Sequence, residues 1–320
     1  MIKTIYLIAG PTASGKSKFS IDLAKKINGV VINSDSMQVY KNLEILTARP
    51  NKKEMQNVDH CLYGYVNGTE RYNVEKWCND AAKIIHETFE RNLNPILVGG
   101  TGLYAHTLIN GLIDIPAIPE SIKNESEKII KEFGKDFLIT QIQKFDPTSL
   151  KEVNSNDTVR LRRIWEVYES TGKKFSEWKL NKNKKFIENY HFKIILFLPN
   201  REKNYQIVNS RFIKMINDGA IEEVKNLLDL NLNDSLPVMR AHGVPEIIKF
   251  LRNEISLEEC ISKGQQVTRN YVKRQHTWWN STNLDIFHQF DKTNIVTITR
   301  YYLCDILLSG LISFIPSFIC

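Results

Sequence analysis

The stretch TIYLIAGPTASGKSKFSIDLAKKI, residues 4–27, decides the fold. It opens with a short apolar run rich in branched side chains, passes through a glycine loop, and continues at helical spacing. Residues 10–17 within it, GPTASGKS, fit the pattern GxxxxGK[ST] at every position. Such glycines let successive backbone N–H groups wrap an anion, and the helix that follows points its positive end at the same place. The candidate phosphate-binding residues are therefore Gly10, Pro11, Thr12, Ala13, Ser14, Gly15, Lys16 and Ser17. Lys16 would neutralise phosphate oxygens, and the Ser17 hydroxyl would place Mg²⁺. A purely structural glycine turn would leave Lys16 without a role.

Outward from this loop the pattern repeats. GVVINSDS at 29–36 is an apolar strand running into a polar turn. Residues 74–91 show helical spacing, with Trp77, Ala81, Ile84, Ile85 and Phe89 near one face. NPILVGGTGLY at 94–104 is again strand, glycine turn and helix start, and KIILFL at 193–198 is a strand of the buried type. Strands alternating with helices predict an α/β fold, a parallel sheet like that of P-loop NTPases with helices on both faces. Ligands of such sheets sit at the carboxyl ends of the strands, where the loops 10–17, 33–38 and 99–102 fall.

Residues 120–190 lack strand-like runs. SIKNESEKIIKEFG and TVRLRRIWEVYESTG read as helices, and KLNKNKKFIENYH at 179–191 reads as a loop. The expected organisation is a catalytic core from 1–115 and 190–300, a helical insertion domain at 116–189, and an atypical hydrophobic tail at 301–320.

Composition is ordinary for a globular protein: of 320 residues, 42% are hydrophobic and 25% charged. The formal net charge of +7 favours an anionic partner without identifying it. The five cysteines, Cys61, Cys78, Cys260, Cys304 and Cys320, stand at no metal-site or disulfide-framework spacing, which suggests a reducing compartment. The N-terminal apolar run enters the glycine loop, so it reads as a first strand and not as a signal peptide. Tyr301 to Cys320 carries only Asp305 as a charge. Its length would suit a bilayer, but Asp305, Gly310 and Pro316 argue against a span, and a terminal helix or an accidental extension is the competing reading. The expected location is cytoplasmic.

The glycine loop does not name the reaction. Most such loops serve nucleotide hydrolysis or phosphoryl transfer, and those enzymes usually carry an acid after a second apolar strand. Here that strand, ILVGG, ends in glycines. Asp35 stands at the end of the 30–32 strand among Ser34, Ser36 and Gln38, where a carboxylate can ligate metal, accept a proton or cap a helix. Between Ser155 and Lys185 there are nine Lys/Arg against four Asp/Glu, including Arg160, Arg162 and Arg163. Guanidinium groups match phosphate, but a solvated helix face explains the same charge. From Cys260 to Leu284 there is no acidic residue, and Lys263, Arg269, Lys273 and Arg274 alternate with Tyr271, His276, Trp278 and Trp279. That mixture suits an RNA with unstacked bases; tryptophans of the core are the competing reading.

Taken together these segments resemble the tRNA dimethylallyltransferase (isopentenyltransferase) family, over roughly residues 4–285. The likeness lies in GPTASGKS at 10–17, INSDSMQVYKNLEILTARP at 32–50, ILVGGTGLY at 96–104, NDTVRLRRIWEVYESTGK at 156–173, MRAHGVPEI at 239–247 and TRNYVKRQHTWW at 268–279. It implies transfer of a dimethylallyl group from dimethylallyl diphosphate to the exocyclic N6 amine of the adenine immediately 3′ to the anticodon in tRNA. Pyrophosphate leaves, with Mg²⁺ as cofactor and no ATP consumed. By this likeness Asp35 is the general base, Lys16 and Thr101 belong to the reacting centre, and Arg211 reaches the diphosphate. Asp35, Ser36, Met37, Gln38 and Thr101 face the tRNA. So do Val159, Arg160, Leu161, Arg162, Arg163, Arg240, Lys273, Arg274, Gln275 and Trp278. The partners expected are the anticodon loop of tRNA and dimethylallyl diphosphate; no protein partner or membrane is implied, and the chain is expected to be a monomer. Neither the hydrophobic tail nor a C-terminal zinc finger forms part of the likeness.

Three alternatives stay open at the level of sequence. One is a P-loop small-molecule kinase or ATPase. Another is a prenyltransferase acting on free adenine nucleotides. The third is an RNA-binding protein without activity, against which intact Lys16, Ser17, Asp35 and Thr101 argue.

Overall fold

The computed structural model describes residues 3–181 and 183–280, together with a strand at 295–298. The tail expected at 301–320 lies outside the described residues. In chain order the elements are β1 (Lys3–Ala9), α1 (Lys16–Ile27), β2 (Gly29–Asn33), β3 (His60–Cys61), α2 (Val74–Glu90), β4 (Asn94–Gly99) and α3 (Gly102–Asn110). Then come β5 (Leu112–Ile113), α4 (Glu120–Phe145), α5 (Pro147–Lys151), α6 (Thr158–Thr171), α7 (Phe175–Trp178), β6 (Asn183–Lys184) and β7 (Tyr190–Phe197). The chain continues with α8 (Arg201–Met215), α9 (Ile221–Leu228), α10 (Val244–Leu251), α11 (Leu257–Trp279) and β8 (Ile295–Ile298).

Six strands form one parallel sheet in the order β3-β2-β4-β1-β7-β8. The apolar run of β1 explains its central place. Ile5, Leu7 and Ala9 face one side of the sheet and Tyr6 and Ile8 the other, all buried. A strand covered on both faces needs a continuous apolar sequence, and β1 has one. Phe19, Leu23 and Ala24 of α1 close one face. The other packs against Trp77, Ala81 and Ile85 of α2 and against Tyr104, Ala105 and Leu108 of α3. Each of the fully buried branched side chains contributes roughly 1.5–3 kcal/mol.

The topology selects where a ligand sits. From β1 the chain crosses to β2 on one side of the sheet; after β4 it returns to β7 on the other side of β1. Such a reversal opens a crevice at the strands' carboxyl ends. The loops after β1 and β4 line it.

The chain divides into two compact units, one of them the segment Asn110–Lys185 between the two halves of the other. That segment has its own core of Leu138, Ile142, Leu161, Ile164 and Trp165, from α4 and α6. The first helix breaks at Gly134 as the sequence suggests: Gly134 takes φ 77° and ψ 177°, both outside the helical region, and a second helical stretch follows to Phe145. A glycine tolerates that conformation where other residues would be strained, so it ends the first stretch and lets the chain start the next. The stretch expected to be a loop includes a two-residue strand, β6, antiparallel to β5. Asp146 caps α5 through Ser149 N (3.1 Å) and also accepts from Ser149 Oγ (2.7 Å) and Ser176 N (2.9 Å). Burial pushes its carboxyl up, but these donors outweigh burial and hold it below the usual range. Among the described residues no helix is long and apolar enough to cross a membrane.

Candidate active site

The loop after β1 is built around its glycines. Gly10 has φ 140°, and a Cβ there would lie 2.1 Å from the Phe197 carbonyl oxygen on β7. Ala13, at φ 59°, holds a left-handed conformation that a non-glycine residue rarely adopts. Gly15 begins α1 and supplies no side-chain cap, so the first N–H groups of the helix face the loop. Lys16 folds back into it: Nζ donates to Pro11 O (2.5 Å) and Ser14 Oγ (3.2 Å). Its ammonium is buried, which lowers its pKa to about 7; Asp35 opposes that shift and Arg211 adds to it. Ser17 stands exposed at the same helix start.

The loop after β2 is held by Asn33, which is fully buried. Its Oδ1 accepts from Asp35 N (2.9 Å), and its Nδ2 donates to Asp35 O and Leu62 O, each at 3.0 Å. The Asn33 carbonyl accepts from Trp77 Nε1 (2.8 Å), and the Trp77 ring stacks on Tyr104 with centroids 4.6 Å apart. Asp35 thereby projects from a fixed turn. Its Oδ1 accepts from Met37 N (2.8 Å) and, more weakly, Gln38 N (3.4 Å). No helix follows Asp35, so the carboxylate holds a turn and is not a helix cap; the turn occupies Oδ1 and leaves the second oxygen. Burial raises the Asp35 pKa, against the opposing pull of those two N–H groups and Lys16.

The loop after β4 joins the other two. Thr101 Oγ1 accepts from Ser36 N (3.1 Å) and donates to Ser36 Oγ (3.4 Å). The Gln38 amide donates to Thr47 O (2.9 Å) and Ala48 O (3.1 Å). The chain just before these is clamped from α9: Glu223 accepts from the backbone N–H groups of Glu44 (2.5 Å), Ile45 (2.8 Å) and Leu46 (3.0 Å).

Two adjoining cavities result. A polar cleft is lined by residues 12–18 with Asp35, Gln38, Arg211 and Gln275. A more apolar one is lined by Met37, Leu46, Val208, Phe212, Met215 and Tyr271 among others. Thr12, Asp35, Thr47, Ala48 and Arg211 border both. The arrangement offers a cationic seat for an anion next to an apolar one, with a carboxylate where they meet.

The residues predicted from sequence are distributed unevenly. Lys16, Asp35, Thr101, Arg211 and Gln275 meet around the strand ends. Lys273 and Arg274 are exposed on α11, with Arg274 over the Tyr271 ring at 5.6 Å, and Arg240 is exposed beside Asp234 O. Of the two tryptophans, Trp279 is in the core and donates to Gly100 O (3.3 Å), while Trp278 lies partly exposed near His106, ring centroids 6.4 Å apart. The Val159–Arg163 stretch belongs to the helical unit. There Val159 and Arg160 are exposed, Arg163 is partly so, and Leu161 is fully buried. Arg162 is engaged by Glu127 (3.1 Å), Glu166 (3.3 Å), Ser126 Oγ (2.9 Å) and Lys123 O (3.2 Å). Sequence reading missed Asn33, Asn204 and Glu223. Asn33 alone had a signal, a polar residue closing an otherwise apolar strand.

Among the described residues no group of three or more His, Cys, Asp or Glu could hold a metal ion. Mg²⁺ is commonly held by one or two side chains together with substrate phosphates and water. The exposed Ser17 hydroxyl at the rim of the polar cleft fits that kind of site.

Comparison with known proteins agrees over most of the chain. The IPP transferase family model matches residues 38–282, and an isopentenyl transferase model matches 3–64. The chain is 43% identical over 282 residues to a tRNA dimethylallyltransferase of Ehrlichia ruminantium (strain Welgevonden), covering 88% of this chain and 92% of the relative. It is 43% identical over 286 residues to a tRNA dimethylallyltransferase of Wolbachia sp. subsp. Drosophila simulans (strain wRi), covering 89% and 96%. The fold is similar to that of the full-length tRNA isopentenylpyrophosphate transferase of Bacillus halodurans, with a TM-score of 0.69, 30% identity, and coverage of 100% of this chain and 97% of that one. A eukaryotic dimethylallyltransferase acting on tRNA gives a TM-score of 0.77 at 30% identity, covering 93% and 74%.

Proposed function

We propose that this chain, which belongs to the IPP transferase family, transfers a dimethylallyl group from dimethylallyl diphosphate to the N6 amine of the adenine immediately 3′ to the anticodon in tRNA. The observation that carries the reading is the meeting of the two cavities at Asp35. The polar cleft suits a diphosphate and the apolar one an allyl group and a flipped base. The end of β4, Gly99-Gly100-Thr101, lacks the acid that a nucleotide-hydrolysing loop would want there, which disfavours a kinase or ATPase.

In this reading the N6 lone pair forms a bond to the allylic C1 as the C1–O bond breaks, and the electron pair leaves on the diphosphate. The loop N–H groups, Lys16 and Arg211 stabilise that growing charge. Mg²⁺ bound at Ser17 and the phosphate oxygens would neutralise part of it. Asp35 accepts the proton that N6 loses as it becomes cationic, help worth about 10²–10⁴-fold. Its raised pKa suits a base, since the carboxylate is less well solvated and holds a proton more strongly than usual. Extruding the base takes a few kcal/mol, least from an unpaired loop. The turn Asp35–Gln38 with Thr101, the exposed Lys273 and Arg274, and the exposed Val159 and Arg160 of the 159–163 stretch are our candidates for tRNA contact. The residues invoked at the reacting centre all come from one unit of a single chain, which supports action as a monomer. A tRNA substrate supports a cytoplasmic location.

The test is transfer of radiolabelled dimethylallyl from its diphosphate to unmodified tRNA, with AMP and ATP as parallel acceptors. Label on tRNA alone is expected. Label only on a nucleotide would replace the acceptor, and ATP turnover without transfer would replace the reaction.

A further inference from the structure

Thr12 is gripped at both of its backbone polar groups by side chains from far along the chain. Its N–H donates to Gln275 Oε1 on α11 (2.8 Å), and its carbonyl accepts from Asn204 Nδ2 on α8 (3.0 Å). In a phosphate loop the backbone N–H groups are the anion's donors. Here the N–H of Thr12 points at a side chain, which withdraws one donor from the ligand.

Gln275 offers a donor in return. Because the Thr12 N–H requires the amide oxygen, the orientation of the amide is fixed, and Nε2 is the end left over. That Nε2 is buried and makes no hydrogen bond of good geometry in the protein, the nearby Tyr271 side chain notwithstanding, and the residue is 3% exposed. Gln275 lines the polar cleft with Lys16, Arg211 and Asp35. A buried amide N–H left unpaired is unfavourable, and an acceptor arriving in the cleft removes the penalty. Space is kept for the group: a Cβ on Gly100 would stand 2.0 Å from Nε2.

We propose that Gln275 is a diphosphate-binding residue, its Oε1 holding the phosphate loop through Thr12 and its Nε2 donating to an oxygen of the departing diphosphate. This rests on the reading of the loop as the diphosphate site. It moves Gln275 from the tRNA contacts, where the family likeness put it, to the leaving-group side. It also makes α11 a member of both, with Lys273 and Arg274 outside and Gln275 within.

The experiment compares the parent protein with Gln275→Glu and Gly100→Ala, using inorganic pyrophosphate with Mg²⁺ as the probe in calorimetry and unmodified tRNA in filter binding. The introduced carboxylate still accepts from Thr12 N–H but cannot donate at pH 8. Pyrophosphate binding should weaken roughly 10- to 100-fold, KM for dimethylallyl diphosphate should rise, and tRNA affinity should stay within about twofold of the parent. Towards pH 5 the introduced carboxyl gains a proton and donates again, so the ratio of variant to parent affinity should narrow. Gly100→Ala displaces the amide without changing its chemistry and should reproduce part of the loss, which keeps the test available should Gln275→Glu fold poorly. Unchanged pyrophosphate affinity in a folded variant overturns the proposal, above all with weakened tRNA binding. A loss equal at pH 8 and pH 5 reduces Gln275 to a structural latch and overturns its role as donor. A parent protein that does not bind pyrophosphate at all refutes the phosphate reading itself, a result distinct from both.

Discussion

Helices α6 and α11 look alike in sequence, each a basic stretch carrying aromatic residues, yet the fold treats their polar groups differently. In α6 the arginines are answered within their own unit. Arg162 is 20% exposed and holds Glu127 and Glu166, and Arg160 lies 3.3 Å from Asp157. α11 has no acidic residue from Cys260 to its end at Trp279, and its polar groups turn to backbone, ring and side-chain amide: Gln275 to Thr12, Arg274 to Tyr271, and Arg269 to Asn209 Oδ1 (2.7 Å). A positive charge with carboxylates at helical spacing is available to hold its own domain together. One without them must find a different anion or remain solvated, which makes the acid-free stretch the better pointer to a polyanionic partner.

The widest gap between the two regions should appear at the strand ends that α11 helps to build. Asp35→Asn keeps an acceptor for Met37 N–H but removes the base. Single-turnover transfer should fall about 10²–10⁴-fold, far more than tRNA affinity. In the parent the rate should decline as acid protonates Asp35, starting above the ordinary carboxylate range because burial raises its pKa. The sign for stability is opposite. A carboxyl with a raised folded-state pKa is most favourable to folding at low pH and opposes it once ionised, so Asp35→Asn should melt no lower than the parent at neutral pH. An unchanged rate would remove Asp35 from the chemistry.

A middling effect belongs to the helical unit. Arg162→Leu leaves Glu166, whose side chain is 9% exposed, with the Ser126 hydroxyl but no countercharge, and should cost about 2 kcal/mol of stability, less than for a fully buried pair because Arg162 is partly solvated. Denaturant melts would read it, and pyrophosphate affinity should not change. A variant that stays as stable as the parent would mean that the α6 arginines are not committed internally, and the contrast between the helices would collapse.

The smallest effect separates the exposed cations. Lys273→Ala should weaken tRNA binding by less than about tenfold and lower the slope of log affinity against log salt by about one. Arg160→Ala should lower it by less, since Asp157 already offsets that charge. Equal slopes would show that local pairing does not govern which cations meet the RNA.

What the sequence made legible was local. The phosphate loop, the Asp35 turn and the glycine turn at 99–102 each lie within a few residues of a strand end, so their motifs and their positions in the sheet are read together. The apolar runs of β1, β2, β4 and β7 gave the parallel sheet for the same reason. What stayed hidden acts across the chain. Asn204 reaches Thr12 over a separation of 192 residues and Gln275 over 263. Nothing local distinguishes these two amides from others on a solvated helix. Charge density alone likewise could not tell Arg162, a hub of its own unit, from a ligand for phosphate. The helix break at Gly134 was legible, because a glycine late in a periodic run signals a helix end.

The clamp formed by Glu223 has one more consequence. The three N–H groups of residues 44–46 make a concave anion receptor comparable in kind to the phosphate loop, and it is filled by a carboxylate from the same chain. A tethered ligand acts at an effective concentration of millimolar or more, so a dissolved anion of similar affinity displaces it only above that concentration. The receptor for the chain's own anion is thus filled from within the chain, while that for the substrate answers to supply. The wall that continues into Thr47 and Ala48 keeps its shape whatever the phosphate status of its surroundings.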